Sequence, residues 1–177
     1  MKKISKFFAY AFLILALIIV FLPKVNLYYA AEKLMKDKNI YITGEEFYDN
    51  ALSFDIFNAR VYFDKLELMK VDKINLSPWV FYNALEFDHI DINEGFSDFL
   101  PQDISSIKVE HFFYNPLHIK LSGDSSDSFF DGDIDILNRV VGIHLNVGVK
   151  SEKRYKTLLK RLKTEATEGG YYYEYKF

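Results

Sequence analysis

The chain has 177 residues, a formal net charge of −3 and no cysteine. The near-neutral balance gives no case for nucleic-acid binding, and without thiols there is neither a disulfide staple nor cysteine chemistry. Thirteen tyrosines, seventeen phenylalanines and one tryptophan point most of the chain towards sheet, since aromatic and β-branched residues fit pleated, half-buried surfaces.

An uninterrupted apolar run, Phe7 to Leu22, follows Lys2, Lys3 and Lys6. As a helix it measures roughly 24 Å at about 1.5 Å per residue, slightly short of a hydrocarbon core of about 30 Å. Ile4 and Ser5 before it, and Pro23 to Ala31 after it, supply the missing length. Phe7, Phe12, Leu15, Ile18 and Leu22 are the expected membrane-anchor residues, and Lys24 is expected to snorkel towards the far headgroups. The leading lysines belong in the cytoplasm by the positive-inside rule, so the rest lies across the membrane. A cleaved leader needs small residues behind a shorter apolar run. Here the exit is bulky, with Tyr29-Ala30-Ala31 the only candidate, so an uncleaved signal-anchor is expected; with no cysteine following, lipoprotein processing is excluded. The expected organisation is a cytoplasmic tail (1–6), a transmembrane signal-anchor helix (7–23), a membrane-proximal helix (24–38) and a periplasmic β-rich domain (39–177) in a bacterial inner-membrane protein.

Leu27 to Met35 repeats apolar residues at helical spacing, with Tyr28 and Tyr29 where an interfacial aromatic belt is expected. Ile40 to Thr43 reads as a first strand closed by Gly44. Leu52, Phe54 and Ile56 then alternate with polar residues, and Ala59, Val61 and Phe63 alternate in the opposite phase, which requires a turn or a bulge between them. Leu66, Leu68, Ile74 and Leu76 continue the pattern. Ser77-Pro78 resembles a helix start, which predicts one or two helical turns over Trp79 to Ala84. Strands resume at Phe87 to Ile92, Ile107 to His111, Leu117 to Leu121, Phe130 to Ile136 and Val141 to Val149, with a loop at Phe96 to Gln102 and a tight connection at Asn138-Arg139. A basic amphipathic helix is predicted from Ser151 to Ala166, striped by Tyr155, Leu158, Leu159 and Leu162. Gly169-Gly170 ends it, and Tyr171, Tyr173, Tyr175 and Phe177 line one face of a final strand. The fold class is therefore mainly β: an N-terminal transmembrane helix, then a curved antiparallel sheet, open half-barrel or sandwich-like, with a C-terminal amphipathic helix and terminal strand.

No constellation argues for an enzyme. Asp124 to Asp135 is acidic, but its glycine sits in the wrong place for a calcium loop and no glutamate closes it. Alternation instead puts Asp131, Asp133 and Asp135 in one row. His89, His111, His118 and His144 show no metal-ligand spacing, and no hydrolase, zinc-protease or phosphate-loop fingerprint occurs. No catalytic residue, cofactor or metal ligand is assigned. Outer-membrane barrels also end in alternating aromatics, but scattered charges and the basic helix count against that reading. The surfaces expected to make contacts are Trp79, Phe81 and Tyr82, then Lys160 and Arg161 on the basic helix, then Tyr171, Tyr173, Tyr175 and Phe177.

The lysine cluster and anchor, Pro23-Lys24-Val25-Asn26-Leu27-Tyr28-Tyr29-Ala30, Ile74-Asn75-Leu76-Ser77-Pro78, Pro116 to Gly123, Asp131 to Ile136 and Gly169 to Tyr175 together resemble the type II secretion system protein N family, and more distantly the AsmA-like envelope proteins. The resemblance covers most of the chain, in packing and turn signatures. It implies an inner-membrane protein with a curved periplasmic sheet that assists assembly of an envelope-spanning secretion machine without catalysis, so the expected partners are other inner-membrane or periplasmic subunits. Two alternatives stand beside it: an AsmA-like lipid-binding or lipid-transfer module, and a scaffold of a pilus, competence or flagellar motor complex. A through-going apolar groove favours lipid handling, and a filled core favours a scaffold.

Overall fold

A computed structural model describes residues 2–96, 103–160, 162–164 and 170–177. Two helices come first, α1 (Lys2–Val20) and α2 (Lys24–Lys36). The sheet follows, with strands β1 (Ile40–Thr43), β2 (Glu46–Asp49), β3 (Phe54–Phe63), β4 (Leu66–Pro78), β5 (Tyr82–Ile92), β6 (Asp103–Phe112), β7 (His118–Ser125), β8 (Ser128–Asp135) and β9 (Val140–Val147). Short helices α3 (Val149–Arg154) and α4 (Lys156–Leu159), then β10 (Lys163–Thr164) and β11 (Tyr171–Lys176), complete it.

All strands belong to one antiparallel, unclosed sheet. From β3 to β9 it is a meander; β11 pairs with β9 and carries β10, while β1 and β2 lie end to end along β3. The left-handed Gly44 (φ +78) makes the break between β1 and β2, a backbone region open to glycine without a Cβ clash. No second sheet packs across this one among the described residues.

The phase change read in the sequence is an irregularity shared in register by neighbouring strands, not a turn, and it recurs. Within β3 the core positions jump from Ile56 to Ala59; in β4 they jump from Val71 to Ile74; in β5 from Phe87 to Ile90; and in β6 from Ile104 to Ile107. Each jump is three residues where regular alternation takes two. The extra residues are Asn58, Asp72, His89 and Ser105, and they lie opposite one another across the sheet, so that Phe57 still faces Lys73, Val71 faces Ile90 and Ile90 faces Ile104. Asn58 (φ 58) and His89 (φ 50) take the left-handed conformation, for which asparagine and histidine are among the better non-glycine residues. An extra residue in one strand alone would turn half of it inside out; four in line keep one face apolar throughout.

The core sits where α2 crosses the corner of the sheet. Phe54, Ile56, Ala59, Val71, Ile74 and Ile90 are buried there, with Val25 and Tyr28 of α2 packed on them. Phe47 and Phe54 stack at 5.7 Å between ring centres, and Tyr28 leans on Phe47 at 4.9 Å. Lys24, expected at the headgroups, is instead 1 % exposed. Its ammonium donates to Asp49 Oδ1 at 2.7 Å and to the Asn50 carbonyl at 2.9 Å. The corner after Pro23 turns the lysine onto the β2–β3 connection, where a carboxylate and a carbonyl replace the water it gives up.

Two predicted helices are corrected. Residues 79–84 are no helix: β4 runs to Pro78, Trp79 donates its N–H to the Tyr82 carbonyl, and β5 starts at Tyr82. Pro78 ends the ladder opposite Asn83, a strand-end position that tolerates its missing N–H. The basic helix is not continuous either. It breaks at Tyr155 into α3 and α4 and gives way to β10. Among its described side chains Tyr155 and Leu159 are the buried apolar ones, a short stripe against many like charges spaced three and four apart. Arg161, Ala166 and Gly169, and the loop from residue 97 to Gln102, lie outside the described residues.

Candidate functional site

The residues expected to form an anchor fall on or just beyond α1. Phe7 and Phe12 are each 69 % exposed and Ile18 is 57 % exposed, so α1 presents apolar side chains on most of its surface. Leu15 is half-buried, and Leu22 lies past the helix end in the corner before α2. Among the described residues no single helix is long and apolar enough to cross a membrane; α1 and α2 meet that measure only as a pair bent by 55°.

The predicted aromatic turn lies against this helix. A cleft of about 320 Å³ is lined by Phe12, Leu15 and Ile19 of α1 on one wall and by Trp79, Phe81 and Tyr82 on the other. The turn is in line with three other chain ends. Phe113, after β6, donates its N–H to the Phe81 carbonyl at 3.1 Å; Ile136, after β8, donates to Leu117 at 2.9 Å; and Phe177, after β11, donates to Arg139 at 3.0 Å. Phe81 and Phe113 meet edge to face at 6.0 Å. Trp79, Phe81 and Phe177, singled out from the sequence, are thus brought to one end of the sheet. Phe113, Tyr114 and Leu137 stand exposed beside them and were missed, because the first two lie in one turn and the third in another, and nothing local sets those turns side by side.

The apolar face continues beyond the core. Tyr171, Tyr173 and Tyr175 of β11 stand opposite Leu145, Ile143 and Val141 of β9, which places their row on the apolar face, as the alternation predicts. Val109, Leu121, Gly132 and Ile143 follow one another in register across β6 to β9. Val109, Leu121 and Ile143 are only half-buried, as are Leu85 and Leu76 in the same row, which becomes fully buried only at Phe54 in the core beneath α2. The sheet therefore has a covered half and an open half. Gly123 fits this face because the Phe130 ring occupies the space a Cβ would need.

The opposite face is polar. Lys108 bridges Glu86 (3.0 Å) and Glu110 (3.3 Å), and the Tyr82 hydroxyl donates to Glu110 at 2.6 Å. The bond to Glu86 is the main reason the Lys108 ammonium holds its proton well above the usual lysine range. The Tyr82 bond, foremost, lowers the Glu110 carboxyl below its ordinary value. His118 Nδ1 lies 2.8 Å from Asp133, and Asp135 accepts from Asn138. These carboxylates are held by neighbours. Among the described residues, no three histidine, aspartate or glutamate side chains are grouped to hold a metal ion.

Lys160 is exposed just after α4, where it lines one pocket with Tyr171, and is not brought together with Trp79, Phe81 or Phe177. Asp127, from the β7–β8 turn, accepts both the backbone N–H and the hydroxyl of Ser151, and these bonds lower its carboxyl below the usual range. It thereby caps α3, which has no side-chain cap of its own. Compared with known proteins, the chain matches no family model, no curated protein and no solved structure.

Proposed function

We propose that this is a single-pass inner-membrane protein whose sheet domain lies in the periplasm and works by contact, as a scaffold or adaptor of an envelope-spanning machine of the type II secretion kind. The observation that carries the reading is the open half of the apolar face, attached through a pinned corner to an apolar helix. Apolar surface left without a second layer is an interaction surface, and a tether concentrates it among neighbouring membrane subunits. The likeness in layout to the protein N family supports the same reading. The polar face offers paired charges rather than a reactive group, which favours binding over catalysis.

A second reading has its own support. The same row, half-buried Val109, Leu121 and Ile143 with exposed Tyr173, could hold acyl chains, as a lipid-binding module would. A photo-reactive amino acid at Ile143, irradiated in intact cells, tests both. Cross-links to envelope subunits are the expected outcome. Lipid adducts alone, with lipid retained in native mass spectrometry of the detergent-extracted protein, would replace the scaffold by the lipid module, and no adduct of either kind would refute both. A carboxy-terminal reporter active in the cytosol would overturn the placement in the membrane.

A further inference from the structure

We propose that the end of the sheet beside α1 is a second membrane contact, its turns dipping into the lipid headgroup region so that the strands stand end-on to the bilayer. The proposal rests on α1 being the membrane anchor, and it adds an orientation that a tether alone does not supply.

The two ends of the sheet differ in chemistry. At the α1 end the reversals are Asn50-Ala51-Leu52-Ser53, Trp79-Val80-Phe81, Phe113-Tyr114-Asn115-Pro116-Leu117 and Ile136-Leu137-Asn138-Arg139, and none contains a carboxylate. Phe81 is 61 % exposed, Tyr114 79 % and Leu137 71 %. At the far end every described reversal carries one: Asp64 between β3 and β4, Glu94 after β5, and Asp127 between β7 and β8. Phe63 and Leu66 are exposed there too, but they flank the charged pair Asp64-Lys65.

Singly exposed apolar residues are ordinary, whereas a contiguous row marks a docking surface. Here the row is made contiguous by the backbone hydrogen bonds that link each turn to the next. Its occupant is identified by what it adjoins. The row continues directly from α1 across the cleft of Phe12, Leu15, Trp79 and Phe81, so the medium that surrounds α1 also reaches Trp79. Tryptophan, tyrosine and asparagine-bearing turns suit the headgroup layer, where an apolar body and a polar tip are both satisfied.

Trp79 is the sole tryptophan, which makes the test direct. The full chain is reconstituted into vesicles of phosphatidylethanolamine and phosphatidylglycerol containing dibrominated phosphatidylcholine, floated on a density gradient, and read by tryptophan fluorescence. Two further chains move the reporter: Trp79→Phe with Leu137→Trp, and Trp79→Phe with Lys65→Trp. Residue 137 is about 19 Å from the β4–β5 turn, four strand spacings of about 4.8 Å, too far for nearness to α1 to explain its quenching. The expected result is loss of most of the emission from Trp79 and from the indole at 137, and none from the indole at 65. An unquenched indole at 137 in floated protein overturns the proposal while leaving the anchor intact. Equal quenching at 65 and 137 overturns it as well, since the sheet would then lie flat. Failure to float removes the anchor and the proposal with it. All three substituted positions are exposed, and matching far-UV circular dichroism confirms that each chain is folded.

Discussion

Lys24 offers the sharpest energetic test, because its two ends are unequal. The lysine is 1 % exposed while its partner Asp49 is 41 % exposed. Removing one member of a fully sealed ion pair costs about 3–5 kcal/mol, since the other charge is left buried alone. In Asp49→Ala water can reach the vacated place and the Asn50 carbonyl still accepts one N–H, so about 2 kcal/mol is expected. Lys24→Met keeps the packing of the stem, removes the charge, and returns Asp49 to solvent, for a cost of about 1 kcal/mol or less. In the double variant no buried charge remains, so it falls short of the sum of the singles by about 1 kcal/mol. Urea unfolding of the full chain in detergent, followed by far-UV circular dichroism, measures all four corners of the cycle. The reasoning is refuted if Lys24→Met is as damaging as Asp49→Ala, or if the two losses simply add.

Two further predictions follow from local geometry. Asn58→Val puts a β-branched residue at a left-handed φ of 58° and should cost about 1–2 kcal/mol, while Asn58→Gly stays within about 0.5 kcal/mol of the parent; equal unfolding midpoints for the two would show that backbone strain is not what selects asparagine. The Asp133 bond raises His118 above its ordinary value. Stability from this pair is therefore fully present below about pH 6.5 and is lost as the pH rises through the folded midpoint. Asp133→Asn should bring the His118 titration, followed by NMR, back towards about 6.5, and an unmoved midpoint would exclude the pair as its cause.

Much of the sheet was legible because alternation reports a half-buried face directly. Ile40 to Thr43, the opposed phases around Asn58, and the tyrosine row of β11 were all read from period two. The hairpin at Pro78 was not, since Ser-Pro is a genuine local helix-start signal and the ladder to Asn83 and Phe112 that overrides it is formed by residues distant in sequence. Strand β2 was invisible for another reason: four residues with Phe47 as the inward member are too few to display a period. The basic segment does bury its predicted Tyr155 and Leu159, but nothing local announces the break between them. The exposed row of turns is legible only after the meander has set Phe81, Phe113, Leu137 and Phe177 side by side.

The four aligned irregular positions also constrain how the protein can change. An insertion or deletion in β3 alone would reverse the parity of every position beyond it and thrust Ala59 and Val61 into solvent while drawing Arg60 inward. Only a concerted length change in β4, β5 and β6 would restore the match. Those four strands are therefore bound into one inheritance unit, whereas β7 to β9 lie beyond the β6–β7 register shift, where Ile104 faces Ser125 and Ser106 faces Asp124, and are freer to vary in length by ordinary hairpin adjustment.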